Sequence, residues 1–225
     1  MDFTVGARLC LLGFSANPLS LIFNTLQALA PPQELIIIEN MRAEDSIPYD
    51  CGLPHQRIWY EDYTRREGDT FFFAVGGARV KEALFDFFAG RFPLSRDQFV
   101  NLIHPSVQLA HQHHLDHGIH LEPGCIISPF ADIAFGVSVL RGASIGHHTR
   151  VGEFTSISPG VQIAGQSRIG RRTTIGIGSV VFDHLSVGAD CLIGGGSVVN
   201  KDLPDGVVAY GNPCRVVRER TADGV

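Results

Sequence analysis

Two adjacent histidines, His147 and His148, sit in the stretch GASIGHHTRVGEFTSISPGVQIAG at residues 142–165. An unperturbed imidazole is largely neutral at pH 7 and can take a proton from an attacking amine or hydroxyl. Elsewhere, polar or glycine residues follow short apolar runs: Gly13 and Asn17 after RLCLL, Glu39 and Asn40 after LIII, Gly76 and Gly77 after TFFFAV. Glycine turns and polar groups at strand ends suit a ligand with phosphates and hydroxyls. The first of these turns lacks GxGxxG, so a dinucleotide is not indicated. A third group, His111, His113, His114, His117 and His120, raises the question of a metal. No two of them are five apart, and their places in the repeat described next make their side chains diverge. They read as surface and packing residues, and no metal is expected.

The chemistry-bearing pair lies inside a repeat. From Val107 to Asp202 the chain divides without a gap into sixteen hexads, VQLAHQ to SVVNKD. The third place is aliphatic every time, from Leu109, Leu115 and Leu121 through Ile145, Val151 and Ile157 to Val199. One aliphatic in six matches neither a helix nor simple strand alternation. It fits a short strand, a turn, and a new strand on the next face, with three hexads closing an eighteen-residue coil. His147 holds the fifth place of its hexad and therefore stands at a corner, outside the aliphatic ladder. Steps of eighteen stack Pro129, His147, Gly165, Asp183 and Lys201 along one edge, at roughly 4.8 Å per coil. A glycine below His147 leaves room there, and a backbone N–H near Gly165 could stabilise an oxyanion.

The first hundred residues differ. Strands are expected at 8–13, 35–39 and 70–75, with a short one at 56–60 inside the loop-like stretch 44–68. Helices are expected over 18–29 and 80–88, and 99–103 leads into the repeat. Alternating strands and helices predict a small parallel α/β domain. The expected fold is thus an α/β N-terminal domain (1–104), a parallel β-helix (105–217) and a tail (218–225).

Composition narrows the class. The chain has 225 residues, 44% hydrophobic and 18% charged, below the roughly 25% charged of ordinary domains, so disorder is not expected. A net charge of −5 gives no general attraction to nucleic acid or anionic membrane. Five scattered cysteines without CxxC spacing read as reduced thiols. No apolar run approaches the ~20 residues of a membrane span. Residues 1–7 carry an Asp and no basic leader pattern, so a soluble cytoplasmic protein is expected.

The hexads, the 142–165 stretch and VAYGNPCR at 208–215 resemble the hexapeptide-repeat sugar acetyltransferases, which act on bacterial amino sugars and sialic acid. The related pattern there is a His and an acidic residue, then C-x-I-G-(D/E)-F-x-H-I-x-P-G. The resemblance implies a left-handed β-helix, a homotrimer with sites between subunits, and acetyl-CoA as acyl donor. It implies direct transfer with His147 as general base, to a nucleotide-linked 4-amino sugar held by Gly13, Asn17, Glu39, Asn40, Gly76 and Gly77. Sialic acid or other sugar O-acetylation is the alternative within the class. Acetyl-CoA would touch Ser156, Gly165, Ile177 and Gly195, with Lys201, Arg215 and Arg218 offering charge to its phosphates. Two positions depart from the pattern. His148 replaces the acidic residue that orients the base, with Glu153 the nearest carboxylate in sequence, and Ser156 replaces a second histidine. The rival classes are a metal-dependent hydratase like the gamma carbonic anhydrases and a non-catalytic scaffold.

Overall fold

The computed structural model describes residues 7–41 and 52–221; Cys51 and the first part of the 44–68 stretch lie outside them. Four short strands form a parallel sheet: β1 (Arg8–Leu12), β2 (Glu34–Glu39), β3 (Gln56–Trp59) and β4 (Thr70–Phe73), in the order β3-β2-β1-β4. Helix α1 (Ala16–Ala28) buries Leu19, Ile22, Phe23 and Leu26, one stripe at helical spacing. It begins two residues before the expected start, because Pro18 in a first turn removes no hydrogen bond the helix needs. Helix α2 (Ala78–Ala89) buries Ala78, Lys81, Leu84 and Phe88. Cys10, Cys125, Cys191 and Cys214 are free and buried.

From Leu102 onward the chain is a β-solenoid of two-residue strands in three parallel sheets, each strand pairing with the one eighteen residues away. The third-place aliphatics form its core, with Ile127, Ile145, Ile163 and Val181 at 2% exposure or less. The coil starts one hexad before Val107: Ile103 already holds a third place, and Leu102–Ile103 pairs with His120–Leu121. At the other end Val207–Tyr210 joins the stack, and an antiparallel strand, Arg215–Glu219, closes it. That strand runs two residues past the boundary expected at 217.

First places from Ile119 to Ser179 are buried, even where they are Ser or Thr. Thr149, Thr155, Ser167, Thr173 and Ser179 each donate to a carbonyl fifteen residues on, at 2.8–3.0 Å. A hydroxyl so placed satisfies itself at no cost to the dry interior. The sixth place of every hexad from Gly118 to Asp190, and on to Gly196, has φ between +56° and +72°, in seven glycines and seven other residues. This left-handed residue turns each corner.

One corner carries the N-terminal unit. Its sixth-place column is Gly118, Gly136, Phe154, Arg172 and Asp190. Phe73 stacks on Phe99 with centroids 4.8 Å apart, and Phe135 meets Phe85 at 5.3 Å and Phe154 at 5.4 Å, near edge-on. A Cβ on Gly118 would touch Phe73, Phe99 and Phe135 at 3.4 Å, so the glycine admits the rings. Further along the same column the seam becomes ionic. Arg79 of α2 grips Asp190 with two bonds of 2.8 Å, and Glu82 of α2 binds Arg171 and Arg172.

Gly136 and Gly142 separate backbone cost from packing cost. Both have φ +69°, but a Cβ on Gly136 would stand 2.8 Å from the buried Phe154 ring, whereas Gly142 has nothing within 4 Å. Gly142→Ala is expected to cost about 1–2 kcal/mol for the left-handed backbone alone. Gly136→Ala is expected to cost about 2 kcal/mol more, from overpacking. Denaturant unfolding of both variants checks this, and equal losses would discard the aromatic seam as a tight contact.

Candidate functional site

His147 and His148 stand exposed at a corner of the six-stranded face, between the strands Ser144–Ile145 and Arg150–Val151. The His147 ring lies directly over Gly165: a Cβ there would sit 2.6 Å from Nε2 and 2.7 Å from Cε1. The room at Gly165 is therefore taken by the imidazole itself and is not empty as its sequence position implied. His147 Nδ1 lies 3.1 Å from His148 Nδ1, with the rings edge to face. His148 has φ +57° and stacks on Phe130, centroids 4.6 Å apart. Only one nitrogen of a close Nδ1–Nδ1 pair can carry the hydrogen. If His147 donates, its Nε2 is left bare as a base, and neutral His148 does as acceptor what a carboxylate would do. Glu153 does not take that role, because its carboxylate is held by Arg96 at 2.6 Å.

The residues implied for acetyl-CoA do not meet within one chain. His147, Gly165 and Lys201 follow one edge of the six-stranded face. Ile177, 63% exposed, and Gly195 lie on the opposite edge, where a Gly195 Cβ would touch the Ile177 side chain at 3.0 Å. Apolar Ile126 and Phe182 stand exposed on the face between them. Lys201 is exposed at the end of its column, and Arg215 donates to the Cys214 carbonyl at 2.7 Å.

At the strand ends, Gly13 has a packing reason. Its φ is +79°, and a Cβ would strike Val75 at 2.7 Å and Leu84 at 3.0 Å. Glu39 is half-buried and ion-paired with Arg57, whose guanidinium lies 4.1 Å from the Phe14 ring centroid. Asn17 is exposed and Asn40 half-buried. Neither α1 nor α2 has a side-chain cap or an acidic residue in its first turn, so the positive end of neither helix is neutralised from within its own first turn.

Gly76, Gly77 and Ser156 line one cavity of about 230 Å³ between the N-terminal unit and the solenoid. Leu21, Ile22, Phe72 and Val75 form its apolar wall; Ser138, Ser158 and Thr174 stand on the solenoid side. Lys81 also lines it. This lysine is 2% exposed and donates to Gly136 O at 2.5 Å and Ser138 Oγ at 3.0 Å. Burial without a carboxylate beside it pushes its pKa down to about 7. His120, buried against Thr25 Oγ1 at 3.1 Å, is pushed down to about 3 by burial and then by Lys81. Glu122 is 1% exposed and accepts from the backbone N–H and guanidinium of Arg141, while its Oε1 has no hydrogen-bond partner. Sequence reasoning missed Lys81, Glu122, Ser138 and this cavity. The one legible signal was Lys81 itself, in register with Ala78, Leu84 and Phe88 on the apolar stripe of α2. Among the described residues no three His, Cys, Asp or Glu side chains gather as a metal site, and no helix is long and apolar enough to cross a membrane.

No family model matches the chain, and no curated protein does. Solved structures do. The acetyltransferase domain of PglB from Neisseria gonorrhoeae superposes with a TM-score of 0.80 at 24% identity, over 94% of this chain and 100% of that one. PerB from Caulobacter crescentus, a perosamine N-acetyltransferase in complex with CoA and GDP-perosamine, gives 0.78 at 25%, over 96% and 99%. WeeI from Acinetobacter baumannii gives 0.75 at 19%, over 93% and 98%. The PglB domain has also been solved with acetyl coenzyme A. The structural neighbours thus include an acetyltransferase domain and a perosamine N-acetyltransferase, and their folds match over 93–96% of this chain.

Lys81 makes stability depend on pH in a definite direction. Between pH 7 and 10.5 the unfolded chain holds a proton on Lys81 that the folded chain has released, so the wild type gains stability as pH rises through that window. Lys81→Met removes the titration. The stability of the variant relative to wild type is expected to decline by up to about 4 kcal/mol from pH 7 to 10.5. Melting temperatures of both proteins across the window measure it, and a constant difference would mean that Lys81 is not held in a dry site.

Proposed function

We propose that this protein is an acetyltransferase that moves the acetyl group of acetyl-CoA to the 4-amino group of a nucleotide-linked sugar, in the cytoplasm. The observation that carries the reading is His147, laid over Gly165 with Nδ1 against His148, in a chain alike end to end to an enzyme solved with CoA and GDP-perosamine. His147 Nε2 takes a proton from the amine as the amine nitrogen attacks the thioester carbonyl. The new C–N bond forms as the C–S bond breaks, and the proton on His147 passes to the departing thiolate. No enzyme-bound acyl group is needed, which agrees with the burial of Cys10, Cys125, Cys191 and Cys214.

The solenoid is proposed to be left-handed and to work as a homotrimer. A second copy against the six-stranded face would cover Ile126 and Phe182 and bring an Ile177–Gly195 edge to a His147–Gly165 edge, which one chain keeps apart. From His147 to Lys201 is three coils, roughly 14 Å along the axis, a span that lets a pantetheine arm reach a cation at the phosphate end. The unit before Leu102 is proposed to hold the sugar nucleotide, and the solenoid from Leu102 to Glu219 to carry out the acyl transfer. The α1 and α2 N-termini, beside Gly76 and Gly77, suit the diphosphate. Asn17, Asn40 and Glu39, the last shared with Arg57, would take the ribose and base.

Thiol release from acetyl-CoA, with UDP-, GDP- and dTDP-linked 4-amino sugars as acceptors and mass spectrometry of the product, tests the reading. One acetyl gained on one acceptor is expected. His147→Ala is expected to lower kcat about 100-fold or more; full activity with chemistry limiting would remove His147 as the base. Gly165→Ala is expected to lower kcat by a similar factor with little change in melting temperature, because its Cβ displaces the ring. Unchanged kcat in that variant would dissociate the His147 pose from catalysis.

A further inference from the structure

We propose that the cavity between α2 and the solenoid receives a carboxylate carried by the acceptor sugar, with Lys81 and Ser138 as the groups that bind it. This rests on the reading of Gly76 and Gly77, which line the same cavity, as contacts of the nucleotide sugar. Lys81 brings three donors and spends two, both on the solenoid coil: Gly136 O and Ser138 Oγ. Among the described residues no carboxylate is bonded to its ammonium. The two other ionisable groups at the cavity are Glu122, whose Oε2 is bonded to Arg141 while its Oε1 has no partner, and His120, which is bonded to Thr25 and held neutral by burial.

The solenoid wall supplies further donors. Ser138 accepts from Lys81, so its own hydrogen is free to point elsewhere. Among the described residues the hydroxyls of Ser156, Ser158 and Thr174 have no hydrogen-bond partner. Ser138, Ser156 and Thr174 are register partners one coil apart, roughly 4.8 Å, a ladder of hydroxyls beside one ammonium. Half-buried hydroxyls left unpaired against an apolar wall are a ligand's complement. A buried cation without a counter-charge is completed by an anion.

Position selects carboxylate over phosphate. The helix N-termini lie at the exposed Gly76–Gly77 mouth, whereas the ammonium is bonded to the solenoid floor. The volume of about 230 Å³ falls below the roughly 300–1,000 Å³ of drug-sized sites, and so suits one sugar ring. A carboxylate bound there returns Lys81 to its charged form, and binding near pH 7 draws a proton from the buffer.

Titration calorimetry of the full chain tests this with matched probes. UDP-glucuronate is compared with UDP-glucose, GDP-mannuronate with GDP-mannose, and each with UDP or GDP alone, in two buffers of different ionisation heat. The acid member of at least one pair is expected to bind tenfold or more tighter than its neutral partner. It is expected to take up a fraction of a proton at pH 7 and more at pH 8, with no uptake for the nucleotide alone. Lys81→Met is expected to abolish both preference and uptake, and Ser138→Ala to weaken the acid selectively. Equal binding of acid and neutral members overturns the proposal, as does a preference that survives in folded Lys81→Met. Equal uptake with UDP or GDP alone overturns it too, by assigning Lys81 to a phosphate. If Lys81→Met does not fold, wild-type proton uptake decides. If no nucleotide sugar binds, ligand-observed NMR with free glucuronate and glucose separates the two readings. Selective binding of glucuronate keeps the carboxylate site and discards the nucleotide, whereas binding of neither overturns the site.

Discussion

From Gly118 to Gly196 every corner of the solenoid is turned by one residue with positive φ, and the rest of the molecule depends on what occupies that place. Glycine adopts the conformation without strain, and other residues hold it at a cost that the stacked coil repays through its ladder of hydrogen bonds and its aliphatic core. Along one edge the sixth places are Gly124, Gly142, Gly160, Gly178 and Gly196. That edge stays thin, and Ile177 and Gly195 project beside it. Along the second edge they are Phe130, His148, Gln166 and His184, and the residue just before each belongs to the His147 column. Along the third they change from glycine to Phe154 and then to Arg172 and Asp190, and this edge carries the N-terminal unit.

The third edge explains how a buried lysine comes to stand at a cavity wall. Aromatic packing at Gly118, Gly136 and Phe154 sets the distance of α2 from the coil, and the Arg79–Asp190 and Glu82–Arg172 pairs set its rotation. With both fixed, the fourth residue of α2 must reach the Gly136 carbonyl. The aromatic seam blocks one side of the gap, and α1 with the end of β4 blocks the other. What remains is a dry-walled space with hydroxyls on its floor. The second edge works by a different rule. There the absence of a side chain at Gly165 lets an exposed imidazole fold onto the backbone, and His148, strained into the left-handed region, turns its ring toward it.

Much of this was legible in the residues. A strict period of six with an aliphatic third place has few solutions, because only a three-sided coil returns the same side chain to the same interior line. The strands RLCLL, ELIIIE and TFFF and both helices could be read for the same reason: apolar period and turn chemistry are local. The solenoid starts one hexad before the repeat counted from Val107, because Ile103 already occupies a third place and pairs with Leu121. The stack at Gly165 and the corner position of His147 follow from counting by eighteen. The partner of His147 does not. Glu153 was nearest in sequence, but Arg96, more than fifty residues away, holds it.

The sequence by itself determined the coil, its corners, the parallel sheet before it, and the column on which His147 stands. These are properties of period and of local conformational preference, and each is settled within a few tens of residues. Only the tertiary structure decided that His148 faces His147, that Ser156 belongs to the cavity wall, and that Lys81 lies buried without a counter-charge. Each of these depends on the distance and rotation at which α2 and β4 dock on the solenoid, or on the direction in which a corner side chain turns. Both are set by contacts between residues far apart in the chain, which no local pattern encodes.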